Sequence, residues 1–318
     1  MIAYVTRRVI QSVIIIVIVS LLVFLVMRLM PGDPLLMYLT SERFQQLSEE
    51  QLQEIRHEYR LDKSLPAQYI DWVVDLFHGN LGESILQRRS VTYLIARRAP
   101  VTLYIGVLSF VLGTFLGIVA GVLAAIRRGK TMDLVMTLFA NIGITIPAFW
   151  LAIMLIYLFG LKLGWLPTHG FTSPFEDFWL STKQIIMPVI CGCIFTLGGV
   201  ARQTRSSMLE VLRQDYVRTA WSKGLEERVI IVRHTLKNGL IPIFTLTGMQ
   251  IAGILGGSVI METVFSIAGM GRLAVDALFG LDFAVVQAIV LISAFMIVTA
   301  NLIVDVSYGW LDPRIRLE

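Results

Sequence analysis

The sequence predicts an all-α protein that spans a membrane, and three observations carry that prediction. Hydrophobic residues make up 56% of the 318 and charged residues only 16%, with a mean hydropathy of +0.73; a soluble domain carries roughly 25% charged residues. The charges are gathered between six uncharged runs, at 9–27, 99–126, 134–161, 184–201, 238–261 and 283–304. Each run is close to or above the roughly 20 helical residues that cross a hydrocarbon core about 30 Å thick, 184–201 being the marginal one.

The first run follows Arg7 and Arg8, as a secretory leader would, but it is longer than a leader's apolar region. Met30-Pro31-Gly32-Asp33-Pro34 offers no small-x-small cleavage site, so the run is expected to stay as an anchor. Arg28, near its far end, can reach the headgroups and so costs less than a central charge.

Orientation follows from the short loops. Arg7 and Arg8 precede the first run, Arg127, Arg128 and Lys130 separate the second and third, and 202–237 holds eight basic residues against four acidic ones. These alternate loops share a side, which the positive-inside rule makes cytoplasmic, and both termini follow. The opposite side receives 28–98, 162–183 and 262–282. The long 28–98 segment does hold Arg88, Arg89, Arg97 and Arg98, but it also carries ten acidic residues, and the rule weakens over long segments.

The chain thus divides into an N-terminal span (1–30), an extracytoplasmic helical insert (31–98), a core of five further spans (99–308) and a cytoplasmic tail (309–318). Pro31-Gly32-Asp33-Pro34 reads as a sharp turn out of the membrane. In the insert, Ser48 with Gln51 has the spacing of a reciprocal helix cap, and Leu52, Ile55 and Tyr59 would share one face. A second short helix from Pro66 through Phe77 presents Tyr69, Trp72, Val73 and Phe77. His57 and His78 are isolated.

The most informative segment is 202–238, about 37 residues where a chain reversal needs only a few. Asp215 to Leu225 reads as a helix ended at Gly224, after which Glu226 to Lys237 can restart. Ala220 and Gly224 are expected to offer a small-residue surface for close approach, with Tyr216 four residues before Ala220. Judged by residue chemistry alone, this segment also fits an amphipathic helix under the bilayer.

Several chemistries find no support. There is no G-x-x-x-x-G-K-[ST] loop, no H-E-x-x-H and no Ser/His/Asp cluster, so no bound cofactor or metal and no catalytic residue is expected. Cys191 and Cys193 sit in an apolar run without His or acidic neighbours and read as small buried residues. No Asp, Glu, Lys or Arg lies within the six runs, so an ion-coupled relay is not expected. Gly113, Gly117 and Gly121 instead mark close helix packing, and Pro147 a kink.

At this point the residues resemble the permease subunits of ATP-binding-cassette importers for dipeptides, oligopeptides, glutathione and nickel, the first permease of the pair. The resemblance covers nearly the whole chain. It rests on Arg7-Arg8 and Pro31-Gly32-Asp33-Pro34, on Arg205-Ser206-Ser207-Met208-Leu209-Glu210 continuing through Asp215-Tyr216-Val217-Arg218-Thr219-Ala220 and Lys223-Gly224-Leu225 to Asn238 and Pro242, on Glu262-Thr263-Val264-Phe265 with Gly269-Met270-Gly271, and on Asp312-Pro313-Arg314-Ile315-Arg316.

The resemblance implies the six-span type I importer fold, a homologous second permease, two cytoplasmic ATPase subunits that bind ATP and Mg, and an extracytoplasmic substrate-binding protein, all in a prokaryotic inner membrane. It makes Asp215, Tyr216, Thr219, Ala220, Trp221, Lys223, Gly224 and Leu225 the ATPase-coupling element, and Glu262, Gly269 and Gly271 an outer gate or binding-protein contact. Cargo is expected to be dipeptides or oligopeptides, the alternatives being nickel chelates or glutathione in the same machine, or a free-standing channel. Two departures stand out: Trp221-Ser222 replaces the usual Arg-Ala of this stretch, and 162–183 is shorter than in some dipeptide members.

Overall fold

The computed structural model describes residues 2–29, 35, 41–58 and 60–311, so Tyr59, the turn Pro31 to Pro34 and the terminal Asp312 to Arg316 lie outside the described residues. The described residues are helical almost throughout. In chain order the helices are α1 (Ile2–Leu29), α2 (Ser41–Gln46), α3 (Glu49–Glu58), α4 (Leu65–Phe77), α5 (Val91–Ile126), α6 (Thr131–Thr145), α7 (Ala148–Leu155), α8 (Phe178–Val211), α9 (Asp215–Ser222), α10 (Glu227–Val229), α11 (Lys237–Gly239), α12 (Ile241–Val264), α13 (Met270–Phe279) and α14 (Phe283–Leu311). Wide π-wound turns continue α7 over Ile156–Lys162 and join α10 to α11 over Ile230–Leu236. Among the described residues, four helices are long and apolar enough to cross a membrane, and up to six spans result if two bent helix pairs each count as one.

The chain forms two compact units, 1–101 with 268–318, and 102–267. In the first, α1 packs along α14. Arg8 Nη1 lies 3.2 Å from Asp305 Oδ2 and the Tyr4 hydroxyl donates to the Asp305 carbonyl at 3.2 Å. At the other end of α14, Ser84 Oγ and the Leu86 amide both donate to Asp282 Oδ2. The 79–90 segment and the first turn of α1 therefore meet opposite ends of the same helix.

The insert follows its local signals. Ser48 N donates to Gln51 Oε1 at 3.0 Å and Gln51 N to Ser48 Oγ at 3.4 Å, the reciprocal cap that satisfies two amides at the start of α3. Leu52 is buried with Leu35 against Phe44, Leu47, Ile55 and Leu61. Pro66 lies in the first turn of α4, where its missing amide costs nothing. His57 pairs with Asp62 and His78 with the Val74 carbonyl, both through Nδ1 at 2.8 Å.

In the second unit α8 is the hub, with α6, α7 and α12 against it. The marginal run 184–201 is the middle of a 34-residue helix, which at 1.5 Å per residue is about 51 Å long. Asp177 Oδ1 caps its start by accepting from the Leu180 amide at 2.9 Å. Gly113, Gly117 and Gly121 of α5 face it at successive turns. A Cβ on Gly117 would stand 2.8 Å from Val200 Cβ and one on Gly121 2.5 Å from the Ala201 carbonyl, so the backbones touch where any side chain would separate them. Cys191 and Cys193 are free and buried in α8.

The expected kink at Pro147 is larger than a kink. α6 ends at Thr145, Ile146 is extended at φ −68°, ψ 125°, and the helix restarts after Pro147 at 102° to its former direction. The proline ring disfavours helical backbone at the residue before it and can start a helix, so the run breaks into two.

Candidate functional site

The segment 202–238 builds its site from a short helix, a left-handed stop and a buried buttress. Asp215 opens α9, where a carboxylate suits the positive helix end. The helix closes as a Schellman motif: the Gly224 amide donates to the Trp221 carbonyl at 2.9 Å and the Leu225 amide to the Ala220 carbonyl at 3.4 Å. Gly224 has φ +73°, the left-handed backbone that this closure needs. The glycine predicted as a stop is therefore a stop for a conformational reason.

Val217, Ala220 and Ile230 form a small core with Val211 and Leu212. Ala220, expected on a small-residue surface, lies inside instead. It is 5% exposed and turned into the chain, because the three-residue spacing from Val217 puts both on the inner stripe of α9. Gly224 is the opposite case, with open space around the position of a Cβ.

The remaining predicted residues are turned outward from this core. Asp215, Tyr216, Thr219, Trp221, Lys223, Gly224 and Leu225 are all exposed, Tyr216 by 43% and Trp221 by 47%. Tyr216 is fixed there by its hydroxyl, which accepts from Asn238 Nδ2 at 2.8 Å. An exposed indole and phenol on a polar helix offer amphipathic anchors of the kind that binding surfaces favour.

Sequence reasoning missed the buttress. Asp133 at the start of α6 takes Arg205 of α8 in a two-pronged bond, Nε to Oδ1 at 2.6 Å and Nη2 to Oδ2 at 2.9 Å. Asp133 also accepts from the Gly129 amide at 2.9 Å and is 7% exposed. Planar guanidinium and carboxylate groups lock orientation as well as charge. The pair fixes α8 ten residues before α9 begins.

The outer residues are placed differently. Glu262, near the end of α12, is 0% exposed and Oε1 accepts from Thr102 Oγ1 of α5 at 2.6 Å. The Glu262 carbonyl also accepts from the Ile267 amide at 2.8 Å, which closes the chain after the helix. Gly269 and Gly271 lie in the other unit, Gly269 as the residue before α13 and Gly271 buried in its first turn. Among the described residues no three His, Cys, Asp or Glu side chains gather as a metal site.

The helical architecture has a solved counterpart. The inward-facing MetNI methionine ABC transporter matches with a TM-score of 0.57 over 69% of this chain and 97% of its own, at 16% identity. The fold is that of an ABC importer permease in an all-α, multi-pass membrane protein.

Two family descriptions then cover the sequence. The N-terminal part of the binding-protein-dependent transport system membrane component matches 1–106, and the inner membrane component itself matches 117–317. The chain belongs to this family of binding-protein-dependent transport system inner membrane components. Full-length relatives agree. A Brucella abortus protein named for a peptide transport system permease is 39% identical over 100% of both chains. The oligopeptide transport system permease protein AppB of Bacillus subtilis is 36% identical over 99% of this chain and 100% of its own. The chain is a transport permease and not an enzyme.

Proposed function

We propose that this chain is the first permease of a pair that imports dipeptides or oligopeptides by ATP-driven alternating access. The homologous second permease lies beside it, two ATPase subunits with ATP and Mg bind beneath, and a substrate-binding protein delivers cargo outside. Peptide cargo is supported by the names of the relatives in Brucella abortus and Bacillus subtilis.

The topology has six spans with both termini cytoplasmic and 31–98 outside. Two contacts support it: Arg8 with Asp305 sets the start of α1 level with the end of α14, and Ser84 with Asp282 sets the insert at the other end. About 23 residues separate Asp282 from Asp305, or roughly 35 Å of helix, enough to cross the hydrocarbon core.

The observation that carries the mechanism is the solvent-facing surface of α9, closed by Gly224 and seated on Val217, Ala220 and Ile230. That surface docks into the ATPase, with Trp221 and Tyr216 as its aromatic anchors and Thr219, Lys223 and Leu225 as further contacts. Closure of the ATPases pushes α9, and Asp133 with Arg205 passes the push from α8 to α6. Glu262 holds α5 and α12 together through Thr102 on the outer side, and its carbonyl closes the chain after α12 by accepting from Ile267.

The test is a cross-link. Thr219→Cys in the assembled transporter should cross-link to an ATPase subunit, whereas Arg28→Cys should not. An intact complex in which Thr219→Cys never reaches the ATPase would remove α9 as the docking element. Uptake of labelled dipeptides by the reconstituted complex tests the cargo, and nucleotide-independent flux would point to a channel.

A further inference from the structure

The insert helix α4 carries more apolar surface than its contacts inside the chain use. Tyr69 and Trp72 pack on Phe24 of α1, with ring centroids 5.4 and 5.8 Å away, and the Tyr69 hydroxyl meets Ser20 Oγ at 2.8 Å. Phe24 is only 2% exposed as a result. A second stripe of α4 is uncovered in this chain: Ile70 is 61% exposed, Val74 47% and Phe77 87%. Their spacing of four and three residues puts them on one face.

The depth of α4 identifies what meets this stripe. Ser20 and Phe24 belong to the uncharged run 9–27 of α1, and the Arg28 guanidinium lies 5.5 Å from the Phe24 ring. An arginine at the end of a span places its charge among headgroups. Phe24 is therefore just inside the acyl boundary, and α4, held against it by two rings and a hydroxyl, is held at the same level. Aromatic side chains with a polar tip favour that level.

The polar side of α4 agrees with this placement. Asp71 takes Lys63 at 2.5 Å and Arg60 at 3.6 Å, and Asp75 lies 4.0 Å from Arg60. The carboxylates of the helix thus meet cations of the segment before it on one side, and bare apolar residues lie on another. Water would leave the second face unpaid, whereas acyl chains would cover it.

We propose that α4 is an interfacial helix whose Ile70, Val74 and Phe77 insert among the lipid acyl chains of the outer leaflet, anchoring the insert to the membrane at a fixed height. This rests on the reading that α1 spans the bilayer. The helix then keeps the outer segment close to the mouth of the pathway without help from another subunit.

Spin labels on the assembled transporter in lipid nanodiscs test it, with Cys191 and Cys193 replaced by Ala. Labels at Phe77→Cys and Val74→Cys should be relaxed by oxygen and shielded from a water-soluble nickel chelate, with a ratio several-fold above that at Asp75→Cys. Access of the nickel chelate to both stripe positions would overturn the proposal in favour of an aqueous face. Shielding from both reagents would overturn it in favour of a protein-covered face. A label at Ile18→Cys, in the middle of α1, separates the two readings: nickel access there would overturn the span itself, whereas shielding at Ile18 with nickel access at Phe77 would overturn only the interfacial helix.

Discussion

At the scale of single residues, Gly224 and the Asp133–Arg205 pair carry the sharpest consequences. Gly224 has φ +73° and nothing near the position of a Cβ, so its requirement is conformational and not one of size. A residue with a side chain pays about 1–2 kcal/mol in left-handed backbone, and Asn pays less than Ala. Gly224→Asn should therefore retain more ATP-driven uptake than Gly224→Ala, although it is bulkier. The reverse order in reconstituted vesicles would show that a tight groove, and not the Schellman closure, requires the glycine. Breaking the buried pair with Asp133→Asn should lower thermal stability in detergent by about 2 kcal/mol, below the usual cost of breaking a buried pair because the Arg205 side chain keeps 32% of its surface exposed. The exchange Asp133→Arg with Arg205→Asp should recover part of the loss. No recovery in that double variant would mean that the pair's neighbours, and not its charges, set its value.

At the scale of elements, α9 is a helix of eight residues, too short to be stable alone. Its order comes from Val217 and Ala220 seated on Ile230, Val211 and Leu212. Ile230→Ala should remove about 2–4 kcal/mol of local support. The expected result is ATPase activity no longer matched to uptake while helical content is unchanged, measured side by side in vesicles. The α5–α8 seam makes a different demand. Gly117→Leu would drive a side chain into Val200 and the Leu197 carbonyl, which a Cβ alone would meet at 2.8 and 2.9 Å. Overpacking of this kind costs about 1–3 kcal/mol, so the variant should show lower yield of folded protein and a lower melting temperature. An unchanged melting temperature would show that the seam opens readily, as a moving interface would.

At the scale of the whole molecule, the proposed mechanism divides the site into an inner surface that receives work and an outer link that shapes the pathway. Glu262 is fully buried and bonded to Thr102, and the proposed role that uses this placement is orientation of the chain that follows α12. Glu262→Arg should reduce uptake strongly while the ATPases remain attached, as judged by co-purification. Normal uptake in this variant would remove Glu262 from the outer site, and loss of the ATPases would show that it acts on folding of the whole permease.

Much of this was legible in residue order. Four of the six uncharged runs lie within single long helices, 134–161 is broken at Pro147 and 238–261 is shared by α11 and α12; Ser48 with Gln51 caps α3 and α9 stops at Gly224, because hydrophobic periodicity, capping and proline or glycine backbone limits act within a few residues. What residue order left open were pairings between distant polar groups. Asp133 meets Arg205 across 72 positions, Thr102 meets Glu262 across 160 and Ser84 meets Asp282 across 198. Nor does composition say which small residue of α9 is surface and which is core: Ala220 and Gly224 looked alike, yet one is packed inside and the other is open. Those outcomes depend on which helices lie side by side. Local chemistry determined where the helices start and stop, and only tertiary packing decided which of their faces meet, since a buried polar group must find its partner wherever the fold brings one.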